Sequence, residues 1–100
     1  MLTYSFSTSS FKNELWINGK RVFKRPTGAS VEFTNGGAFD WVFADSSGKV
    51  VKTYRAQNPS GGWRSVDLSS LGLFGDYSIG FRNASTGTRE IKQGDVEYSS

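Results

Sequence analysis

The sequence predicts an all-β protein: a two-sheet antiparallel β-sandwich with jelly-roll or Greek-key connections and about eight short strands. Three observations carry this. Apolar residues recur at every second position in short runs, as in Tyr77, Ile79 and Phe81. Clusters of Gly, Asn, Asp and Ser punctuate the runs at close intervals. Aromatic residues make up 15% of the chain beside 12 Gly and only 2 Pro, a composition suited to sheets with many turns. One domain is expected over residues 1–100, burying roughly 60–70% of the surface that the unfolded chain exposes.

Taken in order, residues 2–7 set Tyr4 and Phe6 against Thr3, Ser5 and Ser7, the pattern of a half-buried strand. Residues 8–13 read as a Ser/Thr-rich connection carrying Phe11. Two runs, 14–17 and 20–25, flank Asn18-Gly19 and predict a hairpin, because both turn residues tolerate the positive φ of a type I′ turn. Pro26-Thr27-Gly28 stops that strand, since proline has no N–H to give a ladder. Residues 29–35 resume with Val31 and Phe33 on one face and Glu32 and Thr34 on the other, and Asn35-Gly36-Gly37 turns the chain.

The clearest stretch is 39–55, where two strand-forming runs flank Asp45-Ser46-Ser47-Gly48. A four-residue loop there sets Phe43 opposite Val50, Trp41 opposite Lys52 and Phe39 opposite Tyr54, with Val42 and Val51 on the other face. Asn58-Pro59-Ser60-Gly61-Gly62 reads as a loop, and 63–68 as a strand with Val66 and Leu68 in phase. Residues 69–75 hold a helical turn too short for a stable helix. Residues 75–83 form a core strand, 84–87 a turn, 89–92 a short strand around Ile91, Gln93-Gly94 a second turn, and Val96 with Tyr98 the last strand.

The second half runs Asp-x-x-Gly, Trp63-x-x-Val66-x-Leu68, Gly75-x-Tyr77-x-Ile79-x-Phe81-x-Asn83 and Gly94-x-Val96-x-Tyr98. Over residues 39–98 this resembles small bacterial jelly-roll modules, of which carbohydrate-binding modules are the best known. The resemblance implies a non-catalytic binding role. It departs from that group in one respect: no acidic cluster brackets the first and last strands, so the metal-ligating carboxylates of many such modules have no counterpart. The immunoglobulin pattern is broken by the absence of cysteine.

Composition narrows the chemistry. With no Cys and no His, disulfides, thiolate catalysis, the commonest metal ligand and the commonest general base are all removed. Catalysis would need two carboxylates, drawn from Glu14, Glu32, Asp40, Asp67, Asp76, Glu90, Asp95 and Glu97. Those at 32, 40, 67 and 97 fall on polar strand faces, and Asp45, Asp76 and Asp95 fall at turns that want a short acceptor. No enzyme activity, metal or cofactor is expected.

Net charge +3 is too dilute for a dedicated nucleic-acid binder, and no apolar run is long enough to span a membrane. Residues 1–5 lack the features of a signal peptide. The Ser/Thr/Gly/Asn-rich, aromatic, cysteine-free composition matches bacterial extracellular β-domains, so a mature secreted domain carrying an initiator Met is expected, with a cytosolic protein as the alternative.

Candidate binding residues are aromatics outside the core register. Trp16 alternates with Leu15 and Ile17, and Trp63 follows Gly61-Gly62. Each is either a ring for a sugar face or a cap on the sandwich core, and Phe11 and Phe74 are read as caps. Lys20, Arg21, Lys24 and Arg25 lie beside Trp16 and form either an anion-gripping patch or the guarded edge of a sheet. Asn83-Ala84-Ser85 fits the N-glycosylation acceptor, a motif short enough to arise by chance.

The leading expectation is a binding module for a polysaccharide or anionic cell-surface polymer, using Trp16, Trp63 and Tyr54 with Lys20, Arg21, Lys24 and Arg25. The alternatives are a self-associating extracellular or matrix protein and a secreted antimicrobial or toxin acting on anionic membranes.

Overall fold

The period-2 runs become nine strands among the described residues of the computed structural model, which covers residues 1–57 and 60–99. They are β1 (Leu2–Phe6), β2 (Ser9–Phe11), β3 (Glu14–Trp16), β4 (Gly28–Phe33), β5 (Phe39–Ala44), β6 (Val50–Ala56), β7 (Gly62–Asp67), β8 (Ser78–Asn83) and β9 (Arg89–Tyr98). Short 3-10 turns occupy Ile17–Lys20 and Ser69–Leu71. Positions 58 and 59 of the expected loop lie outside the described residues.

The first sheet runs β1-β9-β4-β7, with β2 also paired to β9, and the second runs β3-β8-β5-β6. The antiparallel pairs are nested: β5 with β6, β4 with β7, β3 with β8 and β1 with β9. One long hairpin with its tip after β5 has in effect been rolled up, and the ladders β4–β9 and β5–β8 close the roll. This nested order is a jelly-roll β-sandwich, as the sequence predicts.

The alternating side chains explain why the two layers stack. Ala29, Val31, Phe33, Ile91 and Val96 of the first sheet and Phe39, Trp41, Phe43, Ile79 and Phe81 of the second are all buried in one cluster. Phe81 is its hub, with Trp41 at 4.9 Å, Phe39 at 5.9 Å, Phe33 at 6.0 Å, and Phe6 and Phe11 at 6.2 Å between ring centroids. Such ring pairs contribute about 0.5–1.5 kcal/mol each beyond the area they bury.

Five expectations are corrected. In the central hairpin Trp41 faces Tyr54, Phe43 faces Lys52 and Phe39 faces Ala56, two positions away from the predicted register. A bulge between Phe43 and Ala44 accounts for one position and a loop of five residues, 45–49, in place of four for the other; the faces are unchanged, because two is the side-chain period.

The predicted 14–25 hairpin does not form. Asn18 and Gly19 adopt the positive φ expected, but Lys20 does so as well (φ 69°), and the third left-handed residue turns the chain away from β3. The chain from Lys20 to Pro26 instead crosses the end of the sandwich, tied by Ser78 Oγ to the Lys20 carbonyl at 2.8 Å and by mutual backbone bonds between Phe23 and Tyr77.

Gln93-Gly94 is not a turn either, since β9 continues through it with a bulge against β4. Residues 9–11, expected to be loop, form β2 on the edge of β9. Phe11 is buried as a cap, whereas Phe74, expected to be the same, is 72% exposed.

Candidate ligand groove and its aromatic flank

Two edge strands, β1 of the first sheet and β3 of the second, face each other across the same open side of the sandwich. Both are pinned by one device. Phe6 is paired directly with Gly94 of β9, and Trp16 directly with Gly80 of β8, so each ring lies over a residue that has no side chain. A Cβ built on Gly80 would come within 2.8 Å of the Trp16 ring and of the Leu15 carbonyl oxygen. A Cβ on Gly94 would overlap the Phe6 ring and come within 2.5 Å of the Ser30 carbonyl oxygen. An aromatic ring laid over a strand glycine covers backbone that would otherwise be left bare.

Between the pinned strands lies a groove of about 860 Å³, walled by Tyr4, Ser5, Phe6, Ser7, Thr8 and Ser9 on one side and Leu15, Trp16, Ile17, Asn18 and Gly19 on the other, with Lys92 and Gln93 at the bulge of β9. Its lining mixes ring and aliphatic surface with five hydroxyls, two amides and one ammonium. Trp16 is fixed at three points. Its indole N–H donates to Glu14 Oε2 at 2.7 Å, Gly80 lies beneath the ring, and Lys20 Nζ sits 4.6 Å from the ring centroid. Lys20 is also held by an exposed bond to the Gly48 carbonyl at 3.1 Å, a contact that gives way at small cost.

The structure separates the other predicted site residues. Trp63 is 46% exposed on the outward face of β7, in a row with Glu32 of β4 and Gln93 of β9. Gln93 Nε2 donates to Glu32 Oε1 at 2.9 Å, so this row runs from Trp63 to the groove wall. Tyr54 is 45% exposed on β6, the edge strand of the second sheet on the far side from the groove.

Of the basic residues, Arg21 is committed internally. Its guanidinium packs on Phe23 at 4.9 Å, Tyr98 at 5.1 Å and Tyr4 at 5.6 Å, and it donates to the Tyr98 hydroxyl at 3.1 Å. Lys24 and Arg25 lie on the crossing segment, exposed, with their backbones tied to Ser99 N and Asp76 Oδ1. The seven residues therefore do not form one patch.

Charge is divided between the two outer faces. Glu32, Asp67, Glu90, Asp95 and Glu97, five of the nine acidic residues, project from the first sheet. Across the second sheet, Glu14, Arg82, Asp40 and Arg55 stand in one row of alternating sign. Arg55 is bound to Asp40 through Nε, and that hydrogen bond raises the Arg55 pKa. Among the described residues no group of three or more His, Cys, Asp or Glu is placed to hold a metal ion. Asn83, the acceptor-motif asparagine, spends its Nδ2 on the carbonyls of Lys12 (2.8 Å) and Gly87 (2.7 Å).

Sequence reasoning missed Phe6, Asn18 and Gln93 as groove residues, and Gly80 and Gly94 as the seats beneath the two rings. The available signal was glycine inside two otherwise alternating strands, which marks a bulge or the close approach of another group.

No protein-family model matches the sequence, and no curated protein matches it. Among solved structures, the fold is similar to FlgD from Xanthomonas campestris, a protein described in connection with hook capping essential for flagellar assembly. The TM-score is 0.54 at 14% identity, over 90% of this chain and 69% of that one. This likeness supports the sandwich architecture, and function has to be argued from the site. No helix among the described residues is long and apolar enough to cross a membrane.

Proposed function

We propose that this chain is a non-catalytic extracellular binding module for a hydroxyl-rich, uncharged polysaccharide, seated in the groove between β1 and β3. The observation that carries the reading is the groove lining, which draws on Trp16, Ser5, Ser7, Thr8, Ser9, Asn18 and Gln93: the Trp16 ring borders it from the outer face of the second sheet, and Ser5 and Gln93 border it from the outer face of the first. Ring surface takes the apolar face of a sugar while amides and hydroxyls fix its hydroxyl groups. The row Gln93, Glu32, Trp63 extends the path over the first sheet, where strands about 4.8 Å apart set the rings and amides at intervals a sugar chain can follow. The acidic outer face of that sheet favours a neutral chain over an anionic one, by like-charge repulsion.

Pull-down on insoluble cellulose, chitin and peptidoglycan tests this. Trp16→Ala should abolish retention, and Trp63→Ala should weaken it about tenfold, the scale of one lost ring contact. Retention on neither cellulose nor chitin, retention on the carboxylate-bearing peptidoglycan alone, or retention unchanged in both variants, would sink the proposal.

A second reading, a self-associating structural protein, is favoured by β6. It is a seven-residue edge strand bearing exposed Val50, Val51 and Tyr54. A neighbour described in flagellar assembly is compatible with it. Sedimentation velocity decides: growth in size with concentration that Val51→Lys removes supports assembly, and a single monomeric species at high concentration rules it out.

A further inference from the structure

One charged group has no role in the groove and no hydrogen-bond partner among the described residues. Arg89 opens β9 on the inward face, 1% exposed, and neither Nε, Nη1 nor Nη2 has a hydrogen-bond partner. Its guanidinium lies 4.4 Å from the Phe33 ring centroid, which compensates one face of the cation but none of its five N–H donors. Burial pushes its pKa down, yet an arginine keeps its charge in a folded protein. A lone buried cation is among the costlier features a small domain can carry, so a compensating negative charge is the expected resolution.

The surroundings specify where such a charge would sit. Loops 34–38 and 84–88 close over the guanidinium and are latched to each other on both sides. Asn35 Nδ2 donates to the Thr88 carbonyl at 2.8 Å and Asn35 Oδ1 accepts from Glu90 N at 3.1 Å, while Ala84 N donates to the Ala38 carbonyl at 3.1 Å. Between the latches Gly37, with φ 140°, is the point of closest approach: a Cβ there would overlap Nη1 of Arg89 and come within 2.5 Å of Ser85 Oγ. A cation, a serine oxygen whose proton is given to Asn83 Oδ1 at 3.1 Å, and a glycine backbone thus converge at one spot, with no carboxylate among the described residues bound to the guanidinium.

We propose that loops 34–38 and 84–88 form a binding site for a small oxyanion, a carboxylate, phosphate or sulfate group, received by the Arg89 guanidinium with Ser85 Oγ beside it. The planar fork of arginine donors suits such a group, and bonds between ionised partners are shorter and stronger than neutral ones. The site is independent of the polysaccharide groove and stands whether or not that reading does.

Thermal melting of the whole chain at fixed ionic strength tests it, with sodium chloride as reference and inorganic phosphate, sulfate, acetate and glucuronate as probes. Acetate and glucuronate distinguish a free carboxylate from one carried on a sugar. At a concentration about a hundredfold above Kd, the fitting anion should raise Tm by about 10 °C or more over chloride. Arg89→Met should lose that rise and, in chloride alone, melt at or above the wild-type temperature, so that the order of the two proteins reverses when the anion is added.

If Arg89→Met does not fold, Gly37→Ala, whose methyl group takes the space beside Nη1, should lose the same response. Trp16→Ala should retain it in full. A wild-type Tm equal in all five salts, or a response that survives Arg89→Met or Gly37→Ala, overturns the proposal.

Discussion

The two flanks of the sandwich leave edge strands open in opposite ways. On the groove side, β1 and β3 are short, and a ring from each is laid on a strand glycine, Phe6 on Gly94 and Trp16 on Gly80. On the other side, β6 exposes six of its seven residues and buries only Ala56. Its outward partner for Val42 is Thr53, which lays no ring across the neighbouring strand. The first flank is concave and preorganised, with its side chains fixed before any ligand arrives. The second is a free edge whose exposed Val50, Val51 and Tyr54 stand among the charges of Lys52 and Arg55. A binding site belongs on the first, because ordering side chains on contact costs affinity.

The comparison breaks most directly at the glycines. Gly94→Ala puts a methyl group against both the Phe6 ring and the Ser30 carbonyl oxygen, and backbone cannot step aside. About 3 kcal/mol of destabilisation is expected, the upper end for overpacking, or a Tm lower by about 12–20 °C. Gly80→Ala meets the Leu15 carbonyl and the Trp16 ring at 2.8 Å, and the half-buried ring can lift outward. It should cost about 1–2 kcal/mol and shift the tryptophan emission as Trp16 leaves its seat. Denaturant melts of both variants check the order. If both melt like the wild type, the rings do not depend on the glycines and the groove is not preorganised.

These two glycines also show what the sequence could convey. Alternation placed Phe39, Trp41, Phe43, Ile79 and Phe81 in the core, because a period of two survives any error in register. The sandwich followed from the number and spacing of the strands, which left jelly roll and Greek key both open. Partner choice was less legible.

Asn18-Gly19 announced a turn, and both residues do take left-handed φ. Whether the arms pair, however, was decided by a third left-handed residue and by the distant Ser78 and Tyr77. Gly94 read as a turn when its role is to make room for Phe6, since local sequence cannot distinguish a glycine needed for its backbone from one needed for its missing side chain. The candidate site was legible in part. Trp16 was singled out by its phase, but its company in the groove comes from β1 and β9, more than 60 residues apart along the chain. Arg89 gave no sign, because its pattern is that of any charged residue at a strand end.

The smallest effect falls on the β6 flank and concerns acid. At the hairpin tip between β5 and β6, Asp45 Oδ1 accepts from Ser47 Oγ at 2.6 Å, Ser47 N at 3.0 Å and Lys49 N at 3.1 Å. The Ser47 hydroxyl first, and then the Lys49 amide, hold the carboxyl pKa below its ordinary 3.8. A carboxylate whose pKa is lower folded than unfolded favours the folded state above the unfolded value and loses that contribution as pH falls through the lowered one. The tip should therefore keep its full order above about pH 4 to 5 and loosen below the ordinary carboxylate range. Amide exchange at Ser47 and Lys49, corrected for intrinsic rate, should accelerate between pH 5 and 2 while the β1–β9 ladder stays protected. Asp45→Asn should remove the step. If the tip and the β1 flank lose protection together, acid acts on the whole sandwich and the free edge is no softer than the pinned one.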